Sequence, residues 1–137
     1  MKNTTLLLTL ITTFFITACG NSQNNATKIK KETTIEVVDA QKFNELITQG
    51  GTILDVRTPE EWAQGIIKGA VKMNFYDADF SKQIETLDKT QPIYVYCKAG
   101  GRSGKTAKQL EKLGFTKVYD LDGGIGAWDE AGYKKVK

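Results

Sequence analysis

The sequence predicts a single α/β domain whose five-stranded, mostly parallel sheet carries helices on both faces. Short apolar runs rich in β-branched and aromatic residues alternate along the chain with segments of helical periodicity. This alternation is typical of parallel sheets, because the helix that joins two parallel strands packs on a face of the sheet. We assign residues 34–137 to this domain, and no internal repeat is visible in the sequence.

The first predicted strand leads directly into the first predicted helix. Residues 34–38, TIEVV, form the strand, and Asp39 after them is a good helix N-cap. The helix has one apolar face, formed by Phe43, Leu46 and Ile47. The glycine pair Gly50 and Gly51 ends this segment.

Two further strands and two helices are expected in the middle of the domain. Residues 52–56, TILDV, form a strand, and Thr58 with Pro59 after it indicates a helix start, because proline suits the first helical position. A short strand is expected at residues 71–73. The next helix places three apolar residues at i, i+4 and i+7, namely Phe80, Ile84 and Leu87.

The last part of the chain contains the strand with the most buried character. Residues 93–96, IYVY, are β-branched or aromatic throughout. Residues 103–113 predict a helix that ends before Gly114, and its apolar face consists of Ala107, Leu110 and Leu113. Residues 115–121 form the last strand, and residues 123–133, GGIGAWDEAGY, a glycine-framed turn or short helix.

The N-terminal residues are expected to lie outside the domain. Lys2 precedes an apolar run over residues 6–16, which has the length of a signal-peptide core. The run ends in ITAC, which resembles the lipobox of bacterial lipoproteins. We therefore predict a signal peptide over residues 1–18, lipidation of Cys19, and a polar tether over residues 19–33 that holds the domain at the cell envelope, facing the periplasm or the exterior. An ordinary signal peptide with an incidental cysteine is the alternative.

Composition excludes several classes of function. The formal net charge is +3, and loss of Lys2 with the signal peptide would leave +2. A bias this small, without a basic cluster that contains aromatic residues, does not predict nucleic-acid binding. The chain has no histidine, which excludes Ser-His-Asp triads, Cys-His pairs and almost every zinc site. We predict no metal and no cofactor. If Cys19 is lipidated, Cys97 is the only free thiol.

The segment over residues 93–110, IYVYCKAGGRSGKTAKQL, can be interpreted in two ways. One interpretation is a phosphate-binding loop, AGGRSGKT, between a strand and a helix. This loop lacks its first glycine, and only one strand follows to supply a magnesium ligand. Ser103 is expected to cap the following helix, which would place Lys105 and Thr106 in its first turn and away from the loop. A nucleotide site is therefore not favoured.

The other interpretation makes Cys97 a reactive thiol at the carboxyl end of a strand, where ligands of parallel sheets bind. A thiolate is stabilised by a helix N-terminus and by cations, and both are predicted after Cys97. The candidate anion-binding loop consists of Lys98, Ala99, Gly100, Gly101, Arg102 and Ser103. The alternative interpretation of Cys97 is a small buried apolar residue at a strand end.

Four segments, in order, are similar to the single-domain rhodanese family of sulfurtransferases. They are residues 53–65, ILDVRTPEEWAQG; residues 67–75, IKGAVKMNF; residues 96–103, YCKAGGRS; and residues 121–133, LDGGIGAWDEAGY. The resemblance covers nearly the whole domain, from about residue 34 to residue 133. One departure is clear, because Ile66 and Lys68 stand where the family usually has histidine and proline.

The resemblance implies a mechanism in which Cys97 carries sulfur as a persulfide. Its loop, Cys97 to Arg102, has the six-residue length of the sulfurtransferases, whereas related phosphatases and arsenate reductases have one residue more. A small anionic donor such as thiosulfate and a thiol or cyanide acceptor are the implied partners. Lys98 and Arg102 are expected to recruit the donor, although Lys98 is also explained as a solvated cation.

Asp55 and Arg57 are expected to hold the site from the neighbouring strand end, through an ion pair or hydrogen bonds to the loop. Trp62 and Trp128 are expected to pack in the core or at its rim. Two alternatives remain open at this point: a phosphatase or arsenate reductase that acts on an oxyanion, and a persulfide carrier without catalytic turnover. The protein partner, the physiological donor and the physiological acceptor are not predicted.

Overall fold

The structure is a computed structural model that describes residues 33–137. The predicted signal peptide, Cys19 and all but the last residue of the predicted tether lie outside the described residues. These residues form five strands: β1 (Thr34–Val38), β2 (Thr52–Asp55), β3 (Val71–Lys72), β4 (Ile93–Tyr96) and β5 (Lys117–Leu121). Over the same residues, the strands alternate with five helices: α1 (Ala40–Ile47), α2 (Pro59–Trp62), α3 (Phe80–Glu85), α4 (Gly101–Lys112) and α5 (Gly124–Glu130).

The strands form one sheet in the order β1-β5-β4-β2-β3, and every strand pair in it is parallel. This confirms the predicted five-stranded α/β fold. The central strand, β4, is buried at all four positions, as its β-branched and aromatic sequence predicts. An antiparallel bridge between Ile66 and Val136 lies outside the sheet.

Helices cover both faces of the sheet, as predicted. On one face α3 and α4 bury Ile84 and Leu110 against the apolar side chains of β2 and β4. On the other face α1 and α5 bury Phe43 and Trp128 against the tyrosines of β4. The Phe43 ring meets the rings of Tyr94, Tyr96 and Trp128 edge to face. The carboxyl ends of β2, β4 and β5 therefore reach the same edge of a sheet that is packed on both sides.

The predicted helix caps are present at α1 and α2. The Lys42 N–H donates to the Asp39 carboxylate over 2.8 Å at the start of α1. Thr58 and Glu61 form a reciprocal capping box at the start of α2, with Pro59 at the first helical position. Among the described residues, no helix is long and apolar enough to cross a membrane.

The start of α4 differs from the prediction. The helix begins at Gly101, two residues before the expected position, and the residue that caps it is Gly100 with φ +98°. Ser103 is therefore the third residue of the helix and not its cap. Left-handed backbone at Gly100 costs little because glycine has no Cβ, and it turns the chain into the helix early.

Candidate active site

Cys97 lies immediately after β4, at the carboxyl edge of the sheet, and the loop that follows it leads directly into α4. The residue is only 1% exposed and belongs to the apolar core on the α4 side. Three residues separate Cys97 from the first turn of a twelve-residue helix. The positive end of that helix therefore lies beside the sulfur, which favours a negative charge there.

The loop after Cys97 surrounds the sulfur with hydrogen-bond donors. The Gly100 N–H donates to Cys97 Sγ over 3.1 Å, and the Ser103 hydroxyl lies 3.5 Å from the same atom. Burial raises the pKa of the Cys97 thiol, but donors of the loop outweigh burial and bring this pKa below its ordinary value. These donors are the Ser103 hydroxyl and the backbone N–H groups of Ser103, Ala99 and Gly100.

The phosphate-loop interpretation finds no support in this geometry. Because α4 begins at Gly101, Lys105 and Thr106 lie in its second turn and not in the first turn as predicted. Lys105 is exposed to solvent, and the Thr106 hydroxyl donates to the Arg102 carbonyl over 2.9 Å inside the helix. Neither side chain belongs to the loop that surrounds Cys97.

Arg102 is paired with Glu61 of α2. Its guanidinium donates to both Glu61 carboxylate oxygens, over 2.7 and 2.8 Å. This hydrogen-bonded pairing is the main cause that lowers the Glu61 pKa to about 2. Glu61 also accepts from the Thr58 N–H over 3.0 Å in the α2 capping box. Arg102 therefore joins the end of the loop to α2, and its role in recruiting an anionic donor stays a prediction.

Lys98, the residue directly after Cys97, is an exposed cation of the loop. It is exposed, and no ion pair to it occurs among the described residues. It lines a surface cavity of about 480 Å³ beside the loop, together with Arg57, Lys135 and residues of α5. The cavity has mixed charge, since Asp129 and Glu130 line it as well.

Asp55 and Arg57 form the predicted ion pair, but they hold a different segment from the one predicted. Both side chains are buried, at 0% and 2% exposure, and Arg57 Nη2 lies 2.7 Å from Asp55 Oδ2. The same Nη2 donates to the Gly65 carbonyl over 2.8 Å. Among the described residues, Arg57 makes no hydrogen bond to the Cys97 loop. The pair fixes the chain after α2. This segment contains Ile66 and Lys68, which stand where the rhodanese family usually has histidine and proline.

Gly124 belongs to the site, although no pattern in the sequence predicts this. At this first residue of α5, with φ +59°, an added Cβ would lie 2.5 Å from the Cys97 carbonyl oxygen and 2.8 Å from the Ala99 nitrogen. The next residue, Ile125, donates its N–H to the same Cys97 carbonyl over 2.8 Å. The start of α5 therefore supports the loop by direct backbone contact. The adjacent glycines Gly123 and Gly124 are visible in the sequence, but the contact between Gly124 and the loop is not.

Comparison with known proteins gives the same assignment for the domain. A family model described as the rhodanese-like domain matches residues 39–131. The chloroplastic thiosulfate sulfurtransferase 16 of Arabidopsis thaliana is 36% identical over 99 residues, which cover 65% of this chain and 82% of that protein. The crystal structure of a rhodanese-related protein from Thermoplasma volcanium superposes with a TM-score of 0.67 at 30% identity, covering 74% of this chain and 97% of that one.

A relative with a different name shows that the domain also occurs inside larger proteins. The tRNA uridine(34) hydroxylase of Pelagibacter ubique is 40% identical over 90 residues, which cover 64% of this chain. This chain spans only 30% of that hydroxylase, so the resemblance concerns the domain and not the whole relative. From its matched family model, its sulfurtransferase relatives and its five-stranded parallel sheet, the chain belongs to the rhodanese-like domain family.

Proposed function

We propose that this protein is a sulfurtransferase that moves a sulfane sulfur from thiosulfate or a similar donor to a thiol or cyanide, through a persulfide on Cys97. The observation that carries the proposal is the donor shell around Cys97, in which the Gly100 N–H lies 3.1 Å from Sγ and the loop lowers the thiol pKa. A thiolate is the reactive form of cysteine, and this shell stabilises it in a chain that has no histidine to act as a base. The sulfurtransferase name of the Arabidopsis relative supports the same class.

The chemistry divides into two displacements at sulfur. In the first, the Cys97 thiolate attacks the outer sulfur of thiosulfate, an S–S bond forms, and the original S–S bond breaks as its electron pair leaves with sulfite. In the second, cyanide or a thiolate attacks the terminal persulfide sulfur and leaves as thiocyanate or as a new persulfide. The Cys97 thiolate is regenerated, so no external oxidant or reductant is consumed.

The loop backbone is the part of the site suited to stabilise these anions. Amide N–H groups aimed at a charge that develops during reaction contribute about 10²–10³ in rate each. The Gly100 N–H donates to the Cys97 sulfur, and the N–H groups of Ala99 and Ser103 contribute to the lowered pKa of this thiol. Lys98, exposed at the rim, supplies positive charge for the approach of an anionic donor.

The length of the loop favours a sulfurtransferase over the two oxyanion enzymes. The loop from Cys97 to Arg102 has six residues, and Cys97 is 1% exposed. A short loop around a buried sulfur leaves room for one extra sulfur atom more readily than for a tetrahedral oxyanion. A passive persulfide carrier would need a protein partner to load sulfur onto Cys97. The burial of Cys97 favours a small sulfur donor over such a partner.

We further propose that lipidation of Cys19 holds the domain at a bacterial cell envelope. The proposal rests on the apolar run and the ITAC segment at residues 16–19, which lie outside the described residues. The polar segment that follows would let the sulfur site face the periplasm or the exterior.

Initial-rate kinetics with varied thiosulfate and cyanide test the proposed reaction. Because sulfite leaves before the acceptor binds, double-reciprocal plots at several cyanide concentrations are expected to give parallel lines. Thiocyanate should accumulate over many turnovers, which a passive carrier would not sustain. The reaction class is wrong if the protein hydrolyses p-nitrophenyl phosphate or reduces arsenate while it leaves thiosulfate unchanged.

A further inference from the structure

Asp120 is a buried carboxyl group near the candidate sulfur site that has no part in the proposed mechanism. It lies on β5, where the sheet register places it beside Val95 of β4 and Val37 of β1. Asp120 is 5% exposed, and its Oδ1 atom has no hydrogen-bond partner among the described residues. Its Oδ2 atom lies against the start of α4, 3.5 Å from the position that a Cβ on Gly104 would take.

Ser103, the residue before Gly104 in α4, places its hydroxyl beside the Cys97 sulfur. Ser103 Oγ lies 3.5 Å from Cys97 Sγ and 3.1 Å from the Gly100 carbonyl oxygen. It is also close enough to Asp120 to lower the pKa of that carboxyl, although its hydrogen bonds are made to the other two atoms. A hydroxyl has one proton to donate, so the sulfur, the carbonyl and an ionised carboxylate compete for it.

The ionisation of Asp120 falls in a pH range where it can decide this competition. Burial raises the Asp120 pKa to about 6, Ser103 lowers it, and the charge of Asp122 raises it. The groups placed around the carboxyl are Val95 from β4, Val37 from β1, Ser103 and Gly104 from α4, and Asp122 after β5. Of these, Asp122 carries the other ionisable side chain.

We propose that Asp120 is a positioning residue for sulfur transfer, which acts on Cys97 through the hydroxyl of Ser103. When the carboxyl is protonated it donates to Ser103 Oγ, and the Ser103 proton is then directed at the Cys97 sulfur. When the carboxyl is ionised it accepts that proton, and the sulfur loses a donor. The proposal rests on the proposed function of Cys97 as the nucleophile.

The sign of the effect on Cys97 follows from this arrangement. Ionisation of Asp120 takes a hydrogen-bond donor away from the thiolate, and loss of a donor to the charged form raises the Cys97 pKa. Asparagine at position 120 has the same shape and keeps an N–H donor at every pH. Asp120→Asn therefore mimics the protonated carboxyl and is expected to lower the apparent pKa of Cys97 by about one unit.

The test is the pH dependence of Cys97 alkylation by iodoacetamide in the wild type, Asp120→Asn and the control Asp122→Asn. Mass spectrometry of the Cys97 peptide separates its rate from that of Cys19. The thiolate titration is expected to move to lower pH in Asp120→Asn, whereas Asp122→Asn, which removes an exposed charge without a contact to Ser103, leaves it nearly in place. An Asp120→Asn titration that coincides with the wild type would overturn the proposal.

A double substitution tests the route through Ser103. In a Ser103→Ala background the hydroxyl is gone, so Asp120→Asn should no longer shift the Cys97 titration by the same amount. An undiminished shift would mean that the carboxylate acts directly on the sulfur, which contradicts the positioning role. Alkylation requires no sulfur donor, so a failure of thiosulfate turnover with the shift intact would count against the proposed function alone.

Discussion

The Arg57→Met variant is expected to lower the free energy of unfolding by about 3–5 kcal/mol, because removal of one partner leaves a buried charge without compensation. Asp55 is fully buried, and its carboxylate accepts three hydrogen bonds from the Arg57 side chain. Methionine supplies no donor to these oxygens or to the Gly65 carbonyl, which Arg57 also holds. The chain after α2 would lose its attachment to the end of β2.

Urea unfolding at pH 7 measures this loss, and Lys135→Met provides the matched control. Lys135 pairs with Asp129 at the same distance, 2.7 Å, but its side chain is 25% exposed and that of Asp129 45%. An exposed pair contributes about 0–1 kcal/mol, so the control should unfold nearly like the wild type. Equal losses in the two variants would show that burial of the Asp55–Arg57 pair does not set its importance.

Gly124→Ala is expected to reduce sulfur transfer about 100-fold, the cost typical of moving a reacting group by about 1 Å. The added methyl group would overlap the Cys97 carbonyl and the backbone of Lys98 and Ala99, and φ +59° is unfavourable for alanine. Both effects push the loop away from the start of α5. The N–H groups that surround the sulfur would then no longer converge on it.

Gly132→Ala is the control that distinguishes the effect of displacing the loop from the effect of backbone strain alone. Gly132 also has a positive φ, +77°, but an added Cβ would meet nothing within 4 Å. This control should lose some stability and keep the wild-type rate of thiocyanate formation per folded molecule. If both variants retain that rate, contact between α5 and the loop is not needed for the site.

The strands and helices of this chain were predictable because local patterns determine them. The unbroken apolar run of β4 predicts a buried central strand, and Asp39 and Thr58 mark helix starts that the structure confirms. The end of β4 also predicts the place of Cys97, because parallel strands direct their carboxyl ends to one edge. One local prediction was wrong at α4, where left-handed Gly100 begins the helix two residues before the expected position.

The contacts within the candidate site were less predictable because distant parts of the chain make them. Glu61 and Arg102 are 41 residues apart in sequence, and nothing near Arg102 shows that its guanidinium is occupied. Gly124 and Asp120 reach the Cys97 loop only because α5 and β5 pack beside β4. Spacing along the chain predicts which residues form the loop, but packing decides which side chains support it.

The most direct test of the account is the mass of the protein after incubation with thiosulfate, followed by peptide mapping. The account predicts a gain of one sulfur atom on the peptide that contains Cys97, its loss as thiocyanate when cyanide is added, and no gain at that position in Cys97→Ser. Mapping separates this sulfur from any on Cys19, the second cysteine of the chain. An unchanged mass with thiosulfate and with other sulfane donors would contradict the account.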